Sequence, residues 1–291
     1  MPLYEEPLYR PPSEASSLIL QATIGCSHNR CRFCYMYREK RFRIKEWETL
    51  KEEIDEAALV RPETRRVFLA DGDAFVLSTR RLGRILDHLR DSFPRLQRVT
   101  AYATPMNLLS KSVDEMRSLK EKGLDILYYG VETGDDELLE RIGKGANTKE
   151  MEEGCKRAHE AGFKLSITVI LGLSGREGSG RHARETAILL NKIQPRYLSA
   201  LTLMLGPYED SYAKELGSGF TFNSAMDDVL ELREMVANLE TDRCIFRSNH
   251  ASNYLSLQAT LIKDKERLLR EIDTAAEEPD SYFRKEWMRG L

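Results

Sequence analysis

The sequence lacks the features that mark membrane and secreted proteins. No apolar run approaches the roughly 18 residues that a membrane-spanning helix needs. The N-terminus also lacks the basic and apolar pattern of a secretion signal. These absences predict a soluble, cytoplasmic protein.

An excess of one charge is also missing. The 44 Lys and Arg residues are nearly balanced by 47 Asp and Glu residues, which gives a net charge of −3. Such a chain as a whole is attracted neither to DNA nor to an anionic membrane. Hydrophobic residues make up 41%, beside only 18 Gly and 10 Pro, so the composition excludes a disordered or low-complexity protein.

The cysteines cannot form a disulfide framework, which needs an even number spread through a small secreted chain. There are five, and Cys26, Cys31 and Cys34 lie close together. This spacing predicts a metal site. Cys155, on a helical apolar stripe, and Cys244, before an apolar pair, are predicted to be buried packing residues.

Short apolar runs alternate with amphipathic ones along most of the chain. After a proline-rich segment, residues 1–16, which predicts an extended arm, the sequence offers six strand candidates. They are Leu18–Ile24, Arg66–Ala70, Arg98–Ala103, Ile126–Val131, Leu165–Leu171 and Tyr197–Leu205. Helix candidates between them include Ser112–Glu121 and Thr148–Ala161, the latter with Thr148 as its predicted N-cap.

Six strand-and-helix repeats predict an α/β fold with a parallel sheet, either a partial barrel or an open wound sheet. Ligands should then lie at the carboxyl ends of the strands. The alternation stops after Pro207, and residues 208–291 hold two further helix candidates, Asp227–Leu239 and Leu261–Ala276. We expect this segment to be a mostly helical appendage.

The cysteine loop follows the first strand and carries three thiols. Thiolates on a short loop are typical ligands of an iron–sulfur cluster. A structural zinc site needs four ligands and would have to recruit His28, Cys155 or Cys244. Three ligands leave one metal position open, as chemistry at a metal requires.

The loop resembles the cluster loop of the radical S-adenosylmethionine (radical SAM) superfamily. That family has the spacing C-x3-C-x2-C with an aromatic residue before the last cysteine; here the spacing is C-x4-C-x2-C, and Phe33 is the aromatic residue. The segment from Gly130-Val131-Glu132-Thr133-Gly134 to Gly145 is similar to the radical enzymes related to oxygen-independent coproporphyrinogen oxidase, the methylthiotransferases and the Elongator catalytic subunit.

The resemblance implies a partial (β/α)6 TIM-like barrel over residues 17–207. We expect residues 208–291, which lie beyond the resemblance, to cover the mouth of that barrel. It implies a 4Fe–4S cluster on Cys26, Cys31 and Cys34, whose open iron binds S-adenosylmethionine. Reductive cleavage would then give a 5′-deoxyadenosyl radical that abstracts hydrogen from a substrate. The cofactor carries this chemistry while the protein positions it and excludes water.

Several strand ends match the family's cofactor-binding positions. Besides Phe33, the resemblance assigns contacts with the cofactor to Gly72 and Asp73 (methionine amino group), Asn107, Glu132 (ribose hydroxyls), and Ile170 and Gly172 (adenine). An Asp-Gly turn at Gly72 and a turn-forming Asn107 are equally open interpretations. The acidic residue that the family carries shortly after Gly172 is not cleanly placed in this sequence.

The substrate is not identified by these motifs. Asn249, His250 and Asn253 lie in a polar segment without helical or strand period, and we expect them to contribute to a substrate pocket. A small molecule is the favoured substrate; RNA modification and a non-enzymatic iron–sulfur or zinc protein remain alternatives. Seven basic residues between Arg30 and Lys45 form either a solvated face or a dock for reduced flavodoxin or ferredoxin.

Overall fold

The computed structural model describes residues 4–290. Its strands are β1 (Leu18–Gln21), β2 (Thr23–Ile24), β3 (Arg43–Ile44), β4 (Arg66–Ala70), β5 (Arg98–Ala103), β6 (Leu124–Glu132), β7 (Lys164–Leu171), β8 (Tyr197–Thr202), β9 (Ile245–Arg247) and β10 (Gln258–Thr260).

Eleven α-helices connect and follow these strands within the described residues. They are α1 (Trp47–Val60), α2 (Thr79–Ser92), α3 (Pro105–Ser110), α4 (Val113–Glu121), α5 (Asp136–Arg141), α6 (Thr148–Glu160), α7 (Gly175–Ile193), α8 (Glu209–Leu216), α9 (Ala225–Asn238), α10 (Lys265–Glu277) and α11 (Pro279–Tyr282).

Eight strands form one mostly parallel sheet in the order β1-β4-β5-β6-β7-β8-β9-β10, and β2 pairs separately with β3. The first six strands of this order are the six that the sequence predicts. Two of the predicted ranges, Arg66–Ala70 and Arg98–Ala103, match the observed strands residue for residue. The prediction of an α/β fold consistent with a partial TIM-like barrel is confirmed.

The chain forms two compact units. The first comprises the described residues up to Asn29 together with Met36–Tyr129 and Glu153–Leu165. In it β1, β4, β5 and β6 pair in parallel register, with Leu18 opposite Val67 and Val67 opposite Val99. The predicted extended arm contains a 3-10 turn, Pro12–Glu14, whose fully buried Glu14 accepts a hydrogen bond of 2.6 Å from the Tyr128 hydroxyl.

The second unit comprises Arg30–Tyr35, Gly130–Glu152 and the described residues from Ser166 onward. Here β8 pairs in parallel with β7 and β9, and β10 pairs antiparallel to β9. Strand β9 comes just before the polar segment that holds Asn249, His250 and Asn253; Phe246 in it is fully buried, and β8 offers an edge for pairing. The appendage is thus helical with two added strands.

The buried apolar stripe of α6 is the one that the sequence predicts. Met151, Cys155 and Ala158 are all fully buried. The predicted cap at Thr148 is wrong: Asn147 precedes the helix, and its Oδ1 accepts a hydrogen bond from Glu150 N at 3.0 Å while Glu150 Oε2 accepts one from Asn147 N at 2.9 Å. This reciprocal pair is a capping box shifted by one residue.

Candidate functional site

Hydrogen bonds join the start of the cysteine loop to the end of β4. Asp71 follows β4, is fully buried, and accepts hydrogen bonds from Gly25 N at 3.0 Å and Lys40 Nζ at 3.0 Å. Gly72 N donates to Gly25 O at 3.1 Å. Because Gly25 directly precedes Cys26, these bonds fix the position of Cys26 relative to Gly72 and Asp73, the predicted binding turn for the methionine amino group.

Gly72 is required by the close approach of Cys26. A Cβ at Gly72 would lie 2.8 Å from the Cys26 Cβ and 2.8 Å from Cε2 of Tyr37. Real Cβ atoms do not tolerate such contacts, so a larger residue would push the cysteine loop away. The structure brings Cys26 and Gly72 together within the first unit.

Asp73 lies beside the same loop. It accepts hydrogen bonds from Ser27 N at 3.1 Å and from the Ser27 hydroxyl, and the Asn107 side chain bonds to it as well. Burial raises the pKa of Asp73, while these hydrogen bonds act in the opposite direction. Asn107 also accepts from Thr104 N at 2.9 Å at the start of α3, so its side chain caps a helix and supports Asp73.

The other two cysteines lie in a turn of the second unit. Cys34 N donates to Cys31 O at 3.1 Å, and Arg32 N donates to Ile142 O at 2.8 Å. All three loop cysteines are half-buried. Phe33 and Ile170 both pack against one apolar cluster, which consists of Leu138, Ile142, Leu173, Leu205, Tyr212 and Leu216.

Glu132 ends β6 with a buried carboxylate that is only half satisfied. Its Oε1 accepts a hydrogen bond from Lys144 Nζ at 2.8 Å, whereas Oε2 has no hydrogen-bond partner within residues 4–290. Its backbone is left-handed, with φ at +66°, and a Cβ at Gly130 would overlap Oε1. Strained backbone and an unsatisfied buried acceptor are the marks of a binding position.

The end of β7 is held by side chains from a distant helix. Gly172, at φ +80°, donates its N–H to Glu231 Oε1 at 2.9 Å. A Cβ on Gly172 would lie 3.0 Å from Asp228 Oδ1. Both carboxylates belong to α9. No local signal in the sequence marks these two carboxylates, because the acidic residues of α9 resemble those of an ordinary polar helix face.

The three predicted substrate residues differ in their surroundings. Asn249 is exposed. His250 is half-buried, its Nδ1 lies 2.9 Å from the Ser252 hydroxyl, and burial together with Arg284 lowers its pKa. Asn253 is buried, accepts from the Thr202 hydroxyl at 3.0 Å, and donates to Ala200 O and Ser248 O at 2.8 Å each. Its amide therefore makes three hydrogen bonds within the protein.

Several residues of the basic run form ion pairs. Arg32 pairs with Glu215, Lys40 with Asp71, Arg43 with Glu5, and Lys45 with Glu53. The net positive charge available to an acidic partner is thereby reduced. In residues 4–290 no helix is both long and apolar enough to span a membrane.

Comparison with known proteins places these features in a family. The model of the radical SAM superfamily matches residues 20–179. The chain is 28% identical over 148 residues to the heme chaperone HemW of Bacillus subtilis and 23% identical over 181 residues to a putative methylthiotransferase of Methanocaldococcus jannaschii. These matches cover 50% and 59% of the chain but only 38% of each relative.

Solved structures share the fold. Coproporphyrinogen III oxidase (HemN) from Escherichia coli superposes with a TM-score of 0.58 at 17% identity, over 76% of this chain and 51% of that one. Methylornithine synthase (PylB) gives a TM-score of 0.53 at 16% identity, over 78% of this chain and 64% of that one.

Proposed function

The chain belongs to the radical SAM superfamily and is an enzyme with a 4Fe–4S cluster and S-adenosylmethionine as cofactors, and we propose that Cys26, Cys31 and Cys34 bind the cluster while the ends of β4, β6 and β7 bind S-adenosylmethionine. The observation that carries this assignment is the buried Glu132 Oε2, which lacks a partner among the described residues. A zinc-binding or purely structural role, the alternative from sequence, is set aside because the family is enzymatic.

The donor set fits an iron–sulfur cluster. Three thiols on one loop supply the ligand type that such clusters use. Within residues 4–290 no three His, Cys, Asp or Glu side chains stand close enough together to hold a metal ion. We propose these three thiols as the cluster ligands on the chemistry of the donor set.

The proposed S-adenosylmethionine contacts follow from the polar groups at the strand ends. Glu132 Oε2 would accept hydrogen bonds from the ribose hydroxyls, which would satisfy the oxygen that the protein leaves without a partner. Lys144 holds the other oxygen of that carboxylate and fixes its orientation. Gly72 and Asp73 would bind the methionine amino group, and Ile170 with Gly172 would face adenine.

The chemistry that a reduced cluster held by Cys26, Cys31 and Cys34 would supply is one-electron reductive cleavage of S-adenosylmethionine. The residues of the chain contribute binding, orientation and the exclusion of water. Phe33 and Ile170 would contribute to the exclusion of water, since both pack against the apolar cluster of the second unit.

A small molecule remains the proposed substrate, with reduced flavodoxin or ferredoxin as the electron donor. The proposed substrate contacts are Asn249, which is exposed, His250, which is half-buried, and Asn253, which is buried. The hydrogen bonds of Asn253 to Thr202, Ala200 and Ser248 also shape the segment. An RNA substrate would be recognised by turnover with transfer RNA and not with small molecules.

The test is anaerobic reconstitution of the wild-type protein and of Cys31→Ala, followed by measurement of bound iron and of 5′-deoxyadenosine after reduction. The wild type should bind about four irons and release 5′-deoxyadenosine, and Cys31→Ala should lose both. Cys155→Ala is the matched control, because Cys155 is a buried free thiol in α6. Cleavage by Cys31→Ala at the wild-type rate would refute the assignment.

A further inference from the structure

Helix α9 contacts the end of β7 with two buried carboxylates. Glu231 Oε1 accepts from Gly172 N at 2.9 Å, and Asp228 Oδ1 would lie 3.0 Å from a Cβ at Gly172. The other Glu231 oxygen accepts from the Ser179 hydroxyl at 2.5 Å and from Asn223 Nδ2 at 3.2 Å. Asn223 Nδ2 also donates to Asp228 at 2.9 Å.

The start of α9 is bonded to the start of α7, which follows β7. Ser224 caps α9 in a reciprocal pair with Asp227, and Asp227 forms an ion pair of 2.9 Å with Arg176 at the start of α7. Arg176 N donates to Thr221 O at 2.9 Å. Helix α9 therefore cannot shift along β7 without breaking several bonds, and Glu231 meets Gly172 in a defined geometry.

His182 extends this contact to the end of β6. Its Nε2 lies 3.1 Å from Ile170 O, and its Nδ1 lies 2.7 Å from the Thr133 hydroxyl. A carbonyl oxygen can only accept, so Nε2 carries the proton and Nδ1 accepts from Thr133. Glu231 Oε1 is 3.4 Å from the same Nε2, which joins Thr133, His182 and Glu231 in one buried chain beside Glu132.

We propose that Glu231 is a positioning residue for S-adenosylmethionine: it holds the Gly172 peptide and, through His182, keeps the ends of β6 and β7 in register. This inference rests on the proposed function, in which Glu132 and Gly172 contact the cofactor. The family carries an acidic residue shortly after the position of Gly172, and this sequence has none clearly placed there. Glu231, 59 residues later in the chain, supplies a carboxylate at Gly172 instead.

The charges around Glu231 make its role measurable by pH. Burial raises the pKa of Glu231 to about 7, against the hydrogen bonds from Ser179, Gly172 and Asn223. Burial and the charge of Glu231 raise the pKa of Asp228 to about 7, which Arg289 opposes. Burial lowers the pKa of His182 to about 4, so His182 is neutral throughout the range of interest. Asp227 is the remaining charged neighbour.

The test compares Glu231→Gln and Glu231→Leu with Glu234→Gln, an exposed position on the same helix whose carboxylate pairs with Arg184. Each protein is reconstituted anaerobically, its iron is measured, and its affinity for S-adenosylmethionine is determined by calorimetry between pH 6 and 8.5. Cleavage at saturating S-adenosylmethionine is measured in parallel.

Glu231→Leu should bind S-adenosylmethionine about tenfold more weakly, because a hydrogen bond to a charged group is lost. Its iron content should equal that of the wild type. Binding by the wild type should strengthen as pH rises through about 7, since an ionised carboxylate is the stronger acceptor. Glu231→Gln keeps an oxygen for Gly172 N and should show a flatter profile, while Glu234→Gln should follow the wild type.

Two results would overturn the proposal. One is unchanged affinity and pH dependence in both Glu231 variants; the other is loss of iron in step with affinity, which indicates a structural role alone. Failure of the wild type itself to bind S-adenosylmethionine would instead refute the proposed function, and with it this inference.

Discussion

Lys40 Nζ lies 3.0 Å from Asp71 Oδ2, and the two side chains are 5% and 0% exposed. Lys40 also donates to Glu5 O and Pro7 O at 2.6 and 2.7 Å. This buried ion pair connects the N-terminal arm, the segment after the cysteine loop and the end of β4. Asp71 in turn holds Gly25 N, so the pair supports the residue next to Cys26.

Replacing Lys40 by Met should lower the free energy of unfolding by about 3–5 kcal/mol, because Asp71 would remain as an uncompensated buried charge. Lys40→Met combined with Asp71→Asn should recover part of this loss. Lys51→Met, which removes an exposed pair with Asp55, should cost much less, because solvent screens such a pair. Denaturant unfolding of the reconstituted enzymes measures all three, and equal costs at Lys40 and Lys51 would contradict the prediction.

Glu132→Gln should weaken S-adenosylmethionine binding by about tenfold, since the ribose would lose a charged acceptor. Gly130→Ala should have the same effect although Glu132 is retained, because the added Cβ would overlap Glu132 Oε1 and displace the carboxylate. Glu137→Gln, at an exposed carboxylate of α5 paired with Arg181, is the control. Calorimetric titration measures the affinity of each variant for S-adenosylmethionine. Wild-type affinity in Glu132→Gln would show that Glu132 does not bind the ribose.

Asp228→Asn should stabilise the enzyme at pH 8 by on the order of 1 kcal/mol and leave it unchanged near pH 4. Burial and Glu231 raise the folded-state pKa of Asp228 to about 7, above the unfolded value of about 3.9. Its contribution to stability is therefore complete below about pH 4 and is lost as pH rises through about 7. Asn stays neutral and avoids that loss. Thermal unfolding at both pH values measures the difference.

Asp227→Asn is the opposite case on the same helix. Burial raises its pKa, but hydrogen bonds from Ser224 and Arg176 prevail and the pKa is lowered. Its contribution to stability is present above the unfolded pKa, so this variant should be less stable than the wild type at pH 8. Equal behaviour of the two Asn variants would show that the buried location of Asp228 is irrelevant.

Gly134→Ala should destabilise the second unit by about 1–3 kcal/mol. Its Cβ would overlap the carbonyl oxygen of Glu185 and lie 2.6 Å from the carbonyl carbon, and backbone of α7 cannot yield as a side chain does. Gly219→Ala, where a Cβ meets nothing within 4 Å, should be neutral. A melting temperature for Gly134→Ala equal to that of Gly219→Ala would disprove the close packing.

The sequence predicted those parts of the molecule that depend on neighbours along the chain. Strand ranges such as Arg66–Ala70 follow from local apolar runs, and the cysteine spacing lies within one loop. Glu231 could not be predicted, because it reaches Gly172 only through the fold. The internal hydrogen bonds of Asn253 to Thr202, Ala200 and Ser248 could not be predicted either, because those partners are distant or unmarked in the sequence.

Cys155 and Cys244 are fully buried. Burial raises the pKa of both thiols, that of Cys244 to about 12, so both remain protonated and poorly reactive at neutral pH. A thiol-alkylating reagent applied to the native protein should therefore label the half-buried loop cysteines alone. If those three hold the cluster, the stoichiometry of alkylation becomes a direct gauge of how many molecules in a preparation are loaded.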